Sequence, residues 1–195
     1  MRPLIACSRA RPQRGAATVE FALLAIVFFM VLLGITEFGR IMYIWNTTQE
    51  ITRRAAREAV VRDFSAVETA AIKRESIFRG GTSGIVSLPA GVEITNATVR
   101  LVYLTVDAAG NRVVITGGNM PADPADNISA CGDAVRVFTS CIRFVQACIA
   151  VADDCVTSIP YQPMVLLLAN LGINLAINIP ASSVVMPAES LGFTT

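Results

Sequence analysis

The 195-residue chain contains no histidine. That absence removes Ser-His-Asp and Cys-His nucleophile systems and the usual histidine-containing zinc sites. P-loop, GxGxxG and CxxC motifs are missing as well, and no internal repeat is visible. The clustered acids, Asp123 with Asp126 and Asp153 with Asp154, stand in turn-like stretches without the spaced oxygen ligands and central glycine of a calcium loop. They read as solvated turns, and no nucleophile has an evident base. No enzyme activity, metal or cofactor is therefore expected, and a membrane-tethered hydrolase using acid pairs is the weakest reading of the chain. The formal net charge is +1, which gives no reason to expect a nucleic-acid partner.

Two segments are defined by what they exclude. Residues 21–35 form a run of fifteen residues with no charge and no side-chain hydrogen-bonding group, and residues 16–35 are interrupted only by Thr18 and Glu20. At ~1.5 Å per residue a helix of that length spans about 30 Å, the thickness of a bilayer's hydrocarbon core. Residues 1–15 contain four arginines (Arg2, Arg9, Arg11, Arg14) and no acid, so this end is expected to stay cytoplasmic and the rest to cross the membrane. A cleaved signal peptide would need a small-x-small site after the apolar run, where the sequence is Ile-Thr-Glu-Phe-Gly-Arg. The helix is expected to be retained. Without the leader the chain has twelve basic and fifteen acidic residues, a net of −3.

Glu20 is the one acid near the start of the apolar run, and a carboxylate there needs a partner. It can snorkel to the cytoplasmic interface beside Arg14. If instead the chain were cut after Gly15, Ala16 would carry a free ammonium four residues before Glu20, on the same helical face. The cut would create the partner.

These residues carry a resemblance. Gly15, the four small or apolar residues Ala16 to Val19, Glu20 and Phe21 look like the site at which a membrane aspartic peptidase cuts prepilins and pseudopilins on the cytoplasmic face. The longer string RGAATVEFALL followed by GITEFGR resembles the TadE-like family, minor pilin-like components of tight-adherence (Flp) pilus systems. IRFVQACIA, VTSIPYQP and VVMPAESLGF, nearer the C-terminus, look like the closing strands and terminal Met-Pro-Ala-Glu-Ser motif of many such proteins. The resemblance implies cleavage between Gly15 and Ala16, an assembly charge pair of Glu20 with the Ala16 ammonium, and no catalysis. It implies as partners the bacterial inner membrane, a prepilin peptidase and other pilus subunits. Family members often have a proline shortly after the Glu-Phe pair; here Ala25-Ile26-Val27 implies a straighter helix. The rival reading is an uncleaved, signal-anchored periplasmic binding or sensor domain in which Glu20 is incidental.

Beyond the span, residues 41–78 contain neither Pro nor Gly and are rich in Ala, Arg and Glu, so the helix is expected to continue to about Phe78 and to stop at Gly80-Gly81, with a possible bend near Gly34 or Gly39. The organisation expected is a leader over residues 1–15, a transmembrane helix over 16–39, a helical stalk over 40–79 with a solvated charged face, and an extracytoplasmic β-rich domain over 80–195. The fold class is α+β, pilin-like, with an antiparallel sheet. Residues 91–106 and 112–116 read as strands around a DAAGN turn, and 117–133 as a loop. A second hairpin is expected between residues 142–151 and 156–164, and a last strand over 171–185; residues 165–168 add an apolar run too short for a second span.

Five cysteines divide by topology: Cys7 lies in the leader, and Cys131, Cys141, Cys148 and Cys155 lie beyond the span in an oxidising compartment. Four cysteines allow three connectivities. The second hairpin would bring Cys148 and Cys155 together near its tip, leaving Cys131 for Cys141.

Overall fold

A computed structural model of the protein describes residues 14–81, 83–164 and 177–193. Cys7, most of the leader, the apolar run at 165–168 and the first part of the expected last strand lie outside the described residues. The chain divides into two compact units, Met1–Gly39 and Arg40–Thr195. Helix α1 (Arg14–Val61, 48 residues) passes from one into the other without interruption at Gly34 or Gly39.

In the first unit the large apolar side chains of α1, from Val19 to Phe38, are almost all exposed; Phe21 is 73% accessible and Leu24 65%. Exposed apolar side chains all round a helix suit hydrocarbon, not water. Helix α1 is long and apolar enough to cross a membrane, and it is the one such helix among the described residues.

In the second unit α1 changes role. Ile44, Thr48, Ile51, Thr52, Ala55, Ala56, Ala59 and Val60 are buried at three- and four-residue steps. Five of these eight are Thr or Ala, which lets neighbouring backbone approach closely. Glu50, Arg53 and Arg57 face solvent, and the opposite face of the helix is a core wall. One helix does not run to Phe78. It ends at Val61, and α2 (Ala66–Ser76) starts after a break. Asp63 accepts from the Ser65 N–H at 3.1 Å, and Ser65 caps α2 by accepting from Glu68 N. Such side-chain bonds compete with helix continuation. Arg62 then bonds Glu68 (2.6 Å) and Glu75 (2.7 Å), tying the end of α1 to α2. The helical stretch stops at Ser76, with Phe78 taking the positive φ expected of the later glycines.

The strands are all antiparallel, so the α+β class expected from the sequence holds. A hairpin of β1 (Ser87–Leu88) and β2 (Gly91–Thr95) precedes a four-stranded sheet ordered β4-β3-β5-β8, built from β3 (Val99–Val106), β4 (Arg112–Val114), β5 (Phe144–Ile149) and β8 (Ser183–Pro187). The DAAGN hairpin forms, with Val106 opposite Arg112. Asp107 accepts from Ala109 N and Asn111 N and Gly110 takes a positive φ, which closes the turn.

Three expectations fail here. The segment 117–133 is not simply a loop: it contains α3 (Pro124–Gly132), with Pro124 in its first turn and Asp123 and Asp126 as reciprocal N-terminal caps. The second hairpin does not form, because β5 pairs with β3 and β8, and the short β6 (Ile159–Pro160) pairs instead with β7 (Asn178–Ile179). The last strand is two strands, β7 and β8, separated by Pro180 to Ser182.

The sheet's faces alternate as the period of two requires. Val99, Tyr103, Val145, Ala147 and Ile149 belong to one core with the buried face of α1. Val102, Leu104, Cys148 and Ala150 form the other face, with Cys155 packed on it.

Candidate functional site

Gly15 lies in the first turn of α1, and its carbonyl accepts from the Thr18 hydroxyl at 2.8 Å. A Cβ built on Gly15 meets nothing within 4 Å. Glycine inside a helix costs about 1 kcal/mol against alanine, so nothing in the chain's own packing asks for it. Ala16 and Glu20 follow on one helical face and both are exposed, as is Phe21.

At the start of the second unit stands a cluster the sequence reading missed. Arg40 donates from Nε to Ala90 O (3.0 Å), from Nη1 to Gln162 O (2.7 Å) and from Nη2 to both oxygens of Glu93 (2.7 and 2.9 Å). Its guanidinium lies 4.9 Å from the centre of the Tyr161 ring. Glu93 has no exposed side-chain surface and also accepts from Gln162 N at 3.0 Å. Burial alone would lower the Arg40 pKa; the hydrogen bonds and charge of Glu93, with smaller contributions from Tyr161, outweigh it and shift it upward. A buried pair of this kind is tolerable only with its remaining donors and acceptors satisfied. The sequence carries no signal for it, since Val92-Glu93-Ile94 reads as ordinary alternation with the acid outward. In the structure Val92 is instead 62% exposed and Glu93 buried.

The terminal Met-Pro-Ala-Glu-Ser motif (residues 186–190) has a structural task. Glu189 N and Leu191 N donate to Val60 O, while Gly192 N and the Ser190 hydroxyl donate to Val61 O. The last carbonyls of α1, orphaned by the helix end, are satisfied by a segment some 130 residues away in sequence. Gly192 combines a φ of +82° with a Cβ position only 2.6 Å from Asp63 N, so no side chain fits there.

The structure places two cysteine pairs at disulfide distance. Cys131 of α3 meets Cys141, with Cα atoms 4.7 Å apart, and Cys148 of β5 meets Cys155, with Cα atoms 5.6 Å apart. The acids of the turns are engaged locally. Asp126 is held below the usual carboxylate range first by the Arg136 hydrogen bond, and Asp154 first by that of the Thr157 hydroxyl. Asp153 lies 3.3 Å from Arg100.

No match is found among curated proteins or among solved structures. One family does match: the model described as TadE-like protein aligns with residues 15–57, beginning at Gly15, covering the whole exposed apolar part of α1 and continuing into its buried half. The N-terminal segment of this chain is thus similar to the TadE-like family, the family its sequence resembles.

Proposed function

We propose that this protein is a membrane-anchored, non-enzymatic pilin-like subunit that takes part in assembly of a tight-adherence pilus. In this reading residues 1–15 are a basic cytoplasmic leader, α1 crosses the bacterial inner membrane once, and Arg40–Thr195 lies on the periplasmic side, where the four cysteines beyond the span are oxidised. A prepilin-type peptidase cuts between Gly15 and Ala16, and other pilus subunits are the partners of the apolar helix. The observation that carries this reading is the TadE-like match, which starts at Gly15 and runs through a helix whose large apolar side chains from Val19 to Phe38 are almost all exposed.

The geometry around Gly15 supports the same view. Space for a side chain is open, so a demand for glycine would come from whatever approaches the Gly15–Ala16 bond from outside. After cleavage, Glu20 has the Ala16 ammonium of its own chain or of a neighbouring subunit within reach, and a carboxylate in a low-dielectric surround is tolerable only when so paired.

The test separates the two steps. Gly15→Val should leave the leader attached, read as slower gel mobility of the membrane form. Glu20→Gln keeps the size but removes the charge; it should mature and insert yet support few surface pili. Normal maturation of Gly15→Val would transfer the protein to the signal-anchored class.

A further inference from the structure

The exposed arc of α1 changes chemistry after Trp45. From Ile35 through Trp45 its large exposed side chains are apolar or aromatic: Ile35, Phe38, Met42, Tyr43 and Trp45. Thr36 interrupts them, but its hydroxyl is returned to Leu33 O at 2.8 Å. From Asn46 to Arg57 every exposed residue is polar or charged. The switch therefore lies six residues beyond Gly39, where the first unit ends and the second begins. Helical rise gives this offset a meaning. Residues 16–39 rise about 36 Å, and residues 16–45 about 45 Å, which equals a bilayer with both headgroup regions included. Met42, Tyr43 and Trp45 then fall at the level where amphipathic aromatic rings concentrate.

The hairpin of β1 and β2 reaches the same level. Tyr43 Oη donates to Pro89 O at 3.1 Å, a Cβ on Gly91 would lie 3.5 Å from Ile44, and Glu93 holds Arg40. Val92, between the last two, is turned outward. A cation at headgroup level would ordinarily reach for lipid phosphate; Arg40 instead donates from all three guanidinium nitrogens into the protein. The charge is neutralised internally, and the exposed residues of the hairpin beside it, Pro89, Ala90 and Val92, are apolar.

We propose that residues 40–45 together with the β1–β2 hairpin form a collar seated in the headgroup region of the bilayer that α1 crosses. The proposal rests on reading α1 as a span.

Trp45 is the only tryptophan, which makes the full chain its own probe. The protein is reconstituted in phosphatidylcholine and phosphatidylglycerol vesicles containing a lipid spin-labelled either near the headgroup or deep in the acyl chain. Flotation with the vesicles is measured first. The collar predicts greater loss of Trp45 emission to the shallow label than to the deep one, with little loss to aqueous acrylamide. Val92→Trp in a Trp45→Phe background should behave the same way. If the protein does not float, the span reading fails and the collar with it. If it floats but Trp45 yields to acrylamide and to neither lipid label, the span stands and the collar is overturned. Quenching of Trp45 without quenching at V92W would overturn the seating of the hairpin. Emission that follows the protein-to-lipid ratio and ignores both labels would assign the face to a second copy of the chain.

Discussion

One helix lies in two surroundings. Between Gly15 and Gly39 α1 is apolar on nearly every side, with its large apolar side chains exposed; between Arg40 and Val61 it has one buried stripe of small and aliphatic residues and one charged face. Both halves are helical by the same backbone rules, so the contrast comes entirely from which faces are apolar. The first half has no protein core to bury itself in and the second helps to make one. A substitution should therefore act on folding in one half and on membrane partition in the other.

The largest expected effect is at Glu93. Glu93→Ala leaves Arg40 buried without its carboxylate, and removing one partner of a buried pair typically costs about 3–5 kcal/mol. Chemical denaturation of the membrane form, followed by the far-UV signal of the sheet, should register that loss. Next comes Phe28→Arg in the middle of the apolar half, where a charge opposes insertion by about 2.5–3.5 kcal/mol. Carbonate extraction should show protein released from the membrane, whereas retention at the level of the unchanged chain would break the comparison. The third test makes one change in both halves. Ile51→Val, at a fully buried site, should lower stability of the second unit by about 0.5–1.5 kcal/mol. Ile26→Val, at an exposed site, should leave the melting temperature of that unit unchanged.

How much could be read in advance follows the range of the interactions involved. The span, the Gly15–Glu20 spacing and the DAAGN turn are carried by residues adjacent or one helical turn apart, and periodicity and turn chemistry expose them. The break before α2 was also local: Ser65 followed by Glu68 is a capping signature, hidden by a stretch free of Pro and Gly. The same holds for α3, whose Asp123-Pro124 start resembles a loop until the helix behind it is seen. What stayed out of reach was long-range. β5 takes partners about 40 residues away on either side in place of its neighbour, and Arg40 finds Glu93 at a separation of 53 residues. The terminal motif closes α1 from the far end of the chain. None of these leaves a periodic trace, and Val92-Glu93-Ile94 alternates in the sequence as if Glu93 faced outward.

If α1 is a membrane helix that is retained after loss of the leader, the intact mass of the protein extracted from cell membranes decides it. The expected mass is that of a single chain that begins at Ala16 and keeps everything after it, including the whole apolar segment. A membrane form that still begins at Met1, or one cut beyond Gly39, would contradict it.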